Sequence, residues 1–184
     1  LQGSISEKGA YALWNSSFVA TDDGIRINGL VWMGTAEEMK KRMEEKLRAG
    51  FSCVKLKIGA IDFERELSLI RSLRERYTPA QVELRLDANG AFPPAQALER
   101  LHRLAPFGIH SIEQPIRAGQ WDAMRDLCEK SPIPIALDEE LIGVNRKNEK
   151  EALLDTIRPQ YIILKPSLHG GFSGCAEWER LADA

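Results

Sequence analysis

Five charged residues stand at the ends of five successive β-type runs: Lys57, Asp87, Glu113, Asp138 and Lys165. Three are carboxylates and two are amines. They are separated by steps of 30, 26, 25 and 27 residues, each the length of one strand, one helix and two loops. Such a step returns the chain to the same end of a parallel sheet, one strand further on. Carboxylates gathered there repel, so either some carry protons or a cation sits among them. Their oxygens suit a hard divalent cation, Mg²⁺ or Mn²⁺. No His occupies a matching strand end, which disfavours zinc. Asn89, two residues after Asp87, points to the same side and is expected to bind a metal water or orient a ligand.

The amines extend this chemistry. A lysine in water titrates near ~10.4, too high for a base at neutral pH. Lys55 and Lys57 share one face of a strand, so each disfavours charge on the other. A nearby divalent cation pushes the same way, and a neutral lysine becomes accessible as a base. A metal that holds a substrate carboxylate also stabilises the enediolate left when the α-proton departs. The combination points to proton abstraction next to a carboxylate. Each piece also has a plainer reading. A strand-end Asp can cap a helix, Lys55 can snorkel to the surface, and Arg85 can be a structural ion-pair partner. Glu139 and Glu140 read as loop residues rather than ligands, and His102 and His110 as surface or core-edge residues. His169, in a Gly-rich loop, is a candidate to line the site. The whole ladder is far harder to obtain by accident than any one piece.

The elements that must position these groups follow a strict alternation. The β-type runs are 25–33, 51–58, 82–88, 109–114, 133–138 and 161–165, each rich in Val, Ile and Leu and bounded by Gly, Pro, Asn or Asp. Between and after them lie helix candidates at 35–50, 61–77, 93–106, 119–130, 148–157 and 172–184. The first has Thr35 and Glu38 as a capping box, Met39, Met43 and Leu47 on one face, and Gly50 at its end. The second starts at Asp62 and is expected to bury Phe63, Leu67, Ile70 and Leu73. Six strand-then-helix units argue for an α/β fold with a parallel sheet. No GxGxxG or GxxxxGK[ST] loop supports an open doubly wound sheet. In 51–58, Cys53, Lys55 and Lys57 oppose Val54, Leu56 and Ile58; in 82–88, Glu83, Arg85 and Asp87 oppose Val82, Leu84 and Leu86. A sheet covered on both faces would be apolar throughout. One polar and one apolar face fit a (β/α)8 TIM-type barrel, here incomplete at about six units.

Composition excludes several function classes. Net charge is −2, which gives no electrostatic case for nucleic acid or an anionic membrane. No apolar run approaches a membrane span, and the first residues carry neither the basic start nor the apolar run of a signal peptide. Cys53, Cys128 and Cys175 fit neither a disulfide framework nor a zinc knuckle and read as reduced thiols in a cytoplasmic protein, with Cys53 and Cys128 packing as small apolar residues.

The motifs resemble the enolase superfamily in its muconate lactonizing enzyme-like branch. They are Lys55-Leu56-Lys57, Asp87 in LDANG, Glu113 in IEQP, Asp138 in LDEE and Lys165 in LKPS. The resemblance implies Asp87, Glu113 and Asp138 as Mg²⁺ ligands, Lys57 as the base, Lys165 as the cation over the opposite face, and Lys55 as the residue that lowers the pKa of Lys57 and helps position the carboxylate. Ser167 and Gly170 join Asn89 as expected substrate-binding positions, and the substrate is a small carboxylate. The stretches INGLVWMG (27–34) and LKPSLHGGFSGCAEW (164–178) look like the o-succinylbenzoate synthase family, dehydratases of menaquinone biosynthesis. Epimerases and racemases of dipeptides and N-acylamino acids keep the same lysines, so the catalytic residues alone leave that reaction open. A class I aldolase using Lys165 as a Schiff base is a third reading, opposed by the carboxylate ladder. A full barrel takes about 250 residues. The expectation is therefore a fragment: residues 1–24 as a remnant of what precedes the barrel, 25–184 as a partial catalytic barrel. It would be inactive alone and would self-associate through its open edges.

Overall fold

The computed structural model describes residues 24–183. Six parallel strands form one sheet in the order of the sequence: β1 (Gly29–Val31), β2 (Cys53–Lys57), β3 (Glu83–Asp87), β4 (Ile109–Glu113), β5 (Ile135–Leu137) and β6 (Tyr161–Ile162). Between and after them run α1 (Ala36–Arg48), α2 (Phe63–Arg74), α3 (Pro94–Leu104), α4 (Trp121–Lys130), α5 (Lys147–Ile157) and α6 (Gly171–Ala182). Strands that pair only with their sequence neighbours, each pair bridged by a helix, are the wall of a (β/α) barrel. An open doubly wound sheet would reverse its order part-way. The expected preceding segment, residues 1–24, lies outside the described residues except for Gly24.

Local chemistry explains the boundaries. Thr35 Oγ1 accepts the Glu38 amide at 3.3 Å while Glu38 Oε2 accepts the Thr35 amide at 2.8 Å, so both ends of the capping box are closed. Gly50 follows the end of α1 at φ +86°, a conformation that favours glycine. Asp62 caps α2 by accepting the Glu64 and Arg65 amides. Met39 and Met43 are buried from α1, and Leu67, Ile70 and Leu73 from α2; Phe63 and Leu47 are only partly buried. They meet Val54, Leu56, Leu84 and Leu86 from the helix-facing side of the sheet.

The other side of the sheet carries the polar residues. Cys53, Lys55 and Lys57 lie opposite Glu83, Arg85 and Asp87 in register. Between β3 and β4 the register slips by one residue after Leu84, leaving His110 extra. This bulge brings Ser111 opposite Arg85 and Glu113 opposite Asp87. The outer strands are shorter than the runs 25–33 and 161–165 suggest. Among the described residues each has a partner on one side only, so hydrogen bonding ends sooner. Lys165 consequently lies in the turn beyond β6 rather than on a strand. Cys53 is half-buried with its thiol 3.5 Å from Glu83 Oε1, whereas Cys128 is buried and its thiol is pushed up to about 12 by burial.

Candidate active site

The sheet hydrogen bonds continue past the strand ends and hold them side by side. Ile58 donates to the Asp87 carbonyl (2.8 Å), Ala88 to Glu113 (3.0 Å), Gln114 to Ala136 (2.8 Å) and Ile163 to Leu137 (2.8 Å). Asp87 and Glu113 end their strands and Asp138 follows β5 directly, so three carboxylates stand in a row. All three are buried, at 1%, 4% and 2% exposure. Buried carboxylates need cationic partners, and lysines supply them. Lys57 Nζ lies 2.7 Å and Lys55 Nζ 3.3 Å from the same oxygen, Asp87 Oδ2. Lys55 also donates to Glu113 Oε2. Lys165 Nζ donates to Asp138 Oδ2 at 2.5 Å. The six charged positions expected from sequence are therefore brought together.

Electrostatics follow from this crowding. Burial pushes the Glu113 carboxyl up to about 7; the Lys55 hydrogen bond opposes the shift and the Asp87 and Asp138 charges add to it. Burial works against the Lys55 ammonium, but its bonds and ion pairs with Glu113 and Asp87 outweigh that and hold it above its ordinary value. Lys55 thus bridges two of the carboxylates, Glu113 and Asp87.

The same contacts bear on a metal. Among the described residues, no three His, Cys, Asp or Glu side chains are gathered closely enough to chelate an ion as they stand, and a lysine contacts each of the three carboxylates. The donor set nevertheless fits a hard divalent cation. It is a row of buried carboxylates, two of which raise the proton affinity of the third. Asp138 Oδ1 is buried with no hydrogen-bond partner among the described residues. A cation entering here exchanges for lysine bonds rather than for water alone.

Asn89 sits at φ +44°, its amide nitrogen donating to Asp87 Oδ1 at 3.1 Å. Its side-chain oxygen accepts from Lys57 Nζ (2.7 Å) and its Nδ2 donates to Glu139 Oε1 (2.8 Å). Glu139 thus joins the site through Asn89, a role its reading as a loop residue missed; its place directly after Asp138 was the available signal. Trp32, beyond β1, lies 5.1 Å from Lys57 Nζ. His169 is buried, and its Nδ1 accepts the Lys165 amide at 2.9 Å, so it holds the Lys165 turn. Burial keeps this imidazole below its ordinary value, against the pull of Asp138. Ser167 and Gly170 lie exposed in the loop between β6 and α6, and neither bonds to a side chain of the cluster among the described residues. Arg85 pairs with Glu83 at 2.6 Å, His102 is exposed, and His110 stacks on Tyr161.

Comparison with known proteins agrees with this geometry. Residues 38–184 match the enolase C-terminal domain-like family. An o-succinylbenzoate synthase from Desulfotalea psychrophila is 55% identical over 167 residues, covering 91% of this chain and 45% of that protein. The crystal structure of MenC from Desulfotalea psychrophila LSv54 superposes with a TM-score of 0.83 at 52% identity, covering 92% of this chain and 47% of the other. A dipeptide epimerase from Cytophaga hutchinsonii, complexed with Mg and the dipeptide D-Ala-L-Val, superposes with a TM-score of 0.78 at 25% identity, covering 91% and 45%. The chain spans a little under half the length of these relatives. With its sequential parallel sheet, its row of strand-end carboxylates and this match along most of its length, the chain belongs to the enolase C-terminal domain-like family.

Proposed function

We propose that the protein carrying this chain is a Mg²⁺-dependent carbon–oxygen lyase of the o-succinylbenzoate synthase type, with Mn²⁺ able to substitute. Residues 25–184 would form part of its catalytic barrel, and residues 1–24 the segment before it. One observation carries the reading: lysines reach the carboxylate row from both ends, Lys55 and Lys57 from β2 and Lys165 from beyond β6. The similarity to the Desulfotalea synthase supports the choice of reaction.

Asp87, Glu113 and Asp138 would hold the cation. When bound, Mg²⁺ holds the substrate carboxylate and stabilises the charge that develops on it as the α-proton leaves. Lys57, steadied by Asn89, takes the α-proton onto its neutral amine and returns it to the departing hydroxyl, which leaves as water. Lys165 stays protonated and offers its charge from the far side. Lys55 positions the carboxylates, and Asn89, Ser167 and Gly170 face the substrate. The substrate is a small carboxylate, the location cytoplasmic, and nucleic acid and membranes are not partners. Among the described residues no helix is long and apolar enough to cross a membrane.

A dipeptide epimerase is the second reading. It is favoured by the same two-sided placement of lysines, since inversion needs one acid/base group on each face, and by the Cytophaga relative. Turnover of the full-length protein in D₂O with Mg²⁺ separates the two. A dehydratase exchanges the α-proton from one face and releases water. Lys57→Ala then removes exchange and turnover, while Lys165→Ala removes turnover although Lys165 never delivers deuterium. Deuterium delivered to both faces without loss of water establishes the epimerase. Full activity in excess chelator refutes the metal.

A further inference from the structure

We propose that Gln114 is a positioning residue that fixes the spacing of the cation-holding carboxylates Glu113 and Asp138 through a buried clamp with Glu140. The inference rests on the metal reading above. Gln114 is fully buried, and its backbone lies at φ +40°, a left-handed conformation that a non-glycine residue keeps only when its surroundings enforce it. They do so through every polar atom it has. Its side-chain oxygen accepts from the backbone amides of Asp138 and Glu140, both at 3.2 Å. Its Nε2 donates to the Ile116 carbonyl at 3.0 Å and to Glu140 Oε2 at 3.1 Å. Its own amide donates to Ala136 (2.8 Å) and its carbonyl accepts from Gly90 (2.7 Å). The other Glu140 oxygen accepts the Gly119 amide at 2.8 Å.

One residue thus ties the end of β4 to the loops after β3 and β5, the loops that follow Asp87 and carry Asp138. The amide can stand only one way round: its oxygen faces two donors and its nitrogen two acceptors. A carboxylate here would set like against like, facing Glu140 and the Ile116 carbonyl. Glu113 precedes this residue directly and Asp138 hangs from it by its amide, so their relative placement depends on a neutral side chain with both donor and acceptor. Exchanging the two residues, glutamate at 114 and glutamine at 140, preserves the bonds to Asp138, to Gly119 and across the pair, and loses only that to Ile116.

The test is Mn²⁺ binding to the full-length protein, followed by the electron paramagnetic resonance signal of free Mn²⁺, with circular dichroism to verify the fold. Gln114→Glu is expected to weaken Mn²⁺ binding by about tenfold or more with the fold intact. The double variant Gln114→Glu with Glu140→Gln is expected to recover to within about threefold of wild type. Arg74→Met, which removes guanidinium bonds to the Val82, Phe107 and Gly108 carbonyls, should lower the melting temperature and leave Mn²⁺ affinity unchanged. If Gln114→Glu does not fold, the double variant decides. A Gln114→Glu protein that binds Mn²⁺ as wild type does, a folded double variant without recovery, or an equal loss in Arg74→Met overturns the clamp alone. A wild type that binds no Mn²⁺ overturns the metal reading and the clamp with it.

Discussion

Cation binding to this site should be proton-coupled through Glu113. Its carboxyl sits at about 7 because burial and the neighbouring Asp87 and Asp138 charges outweigh the Lys55 bond. Below that value a cation must displace a proton from Glu113 before it can use both oxygens. One displaced proton corresponds to a factor of about ten in affinity for each pH unit, or ~1.4 kcal/mol. Affinity should therefore climb about tenfold between roughly pH 5.5 and 6.5 and flatten near pH 8. Isothermal titration of the full-length protein with Mn²⁺, repeated in two buffers of different ionisation enthalpy, counts the protons released. About one should appear on the acidic side and none well above neutrality. The sign for stability runs the other way. A carboxyl raised in the folded state favours folding at low pH, so the metal-free protein should lose stability as pH rises from 4.5 toward about 7. Glu113→Gln should flatten both profiles and weaken the metal. An affinity with no pH dependence across the range, or a steeper two-proton slope, would refute the reasoning.

Two further outcomes are expected. Thr35→Ala opens the capping box on α1 and should cost about 1 kcal/mol of stability, read from the urea midpoint at unchanged slope. The 184-residue chain by itself should self-associate and show no dehydration, with Leu30 and Tyr161 exposed on the outer strands. Sedimentation velocity over a concentration series checks this, and Leu30→Lys with Tyr161→Lys should reduce association.

Some features were legible in the sequence because a simple period generates them. Alternation along β2 separates Lys55 and Lys57 from Leu56, and the structure keeps that separation. The capping residues of α1 and α2 act locally, so Thr35, Glu38 and Asp62 could be read without tertiary knowledge. The strand-end ladder was visible because each unit repeats one length. Other features depend on contacts between distant segments. The register slip at His110, which sets Glu113 opposite Asp87, leaves no mark in the pattern of β4. The burial of Glu66 was hidden too. It lies on α2 beside Leu67, and its Oε1 accepts the Gly59 amide at 2.6 Å, closing the loop after β2. Gln114 escaped notice because its meaning lies in four partners from three loops. His169 was visible as a candidate for the site, but its hold on the Lys165 amide required the turn itself.

The sequential strand order has a consequence for how the protein is made. Among the described residues each strand after β1 pairs with the one synthesised just before it, so a chain leaving the ribosome can dock each new unit onto a wall already in place. Asp87, Glu113 and Asp138 come from three consecutive units, and Lys165 comes from the next. The acidic row is therefore complete, with Lys55 and Lys57 beside it, before the amine that faces Asp138 has emerged. Until that residue emerges, the ion pair between Lys165 and Asp138 cannot form.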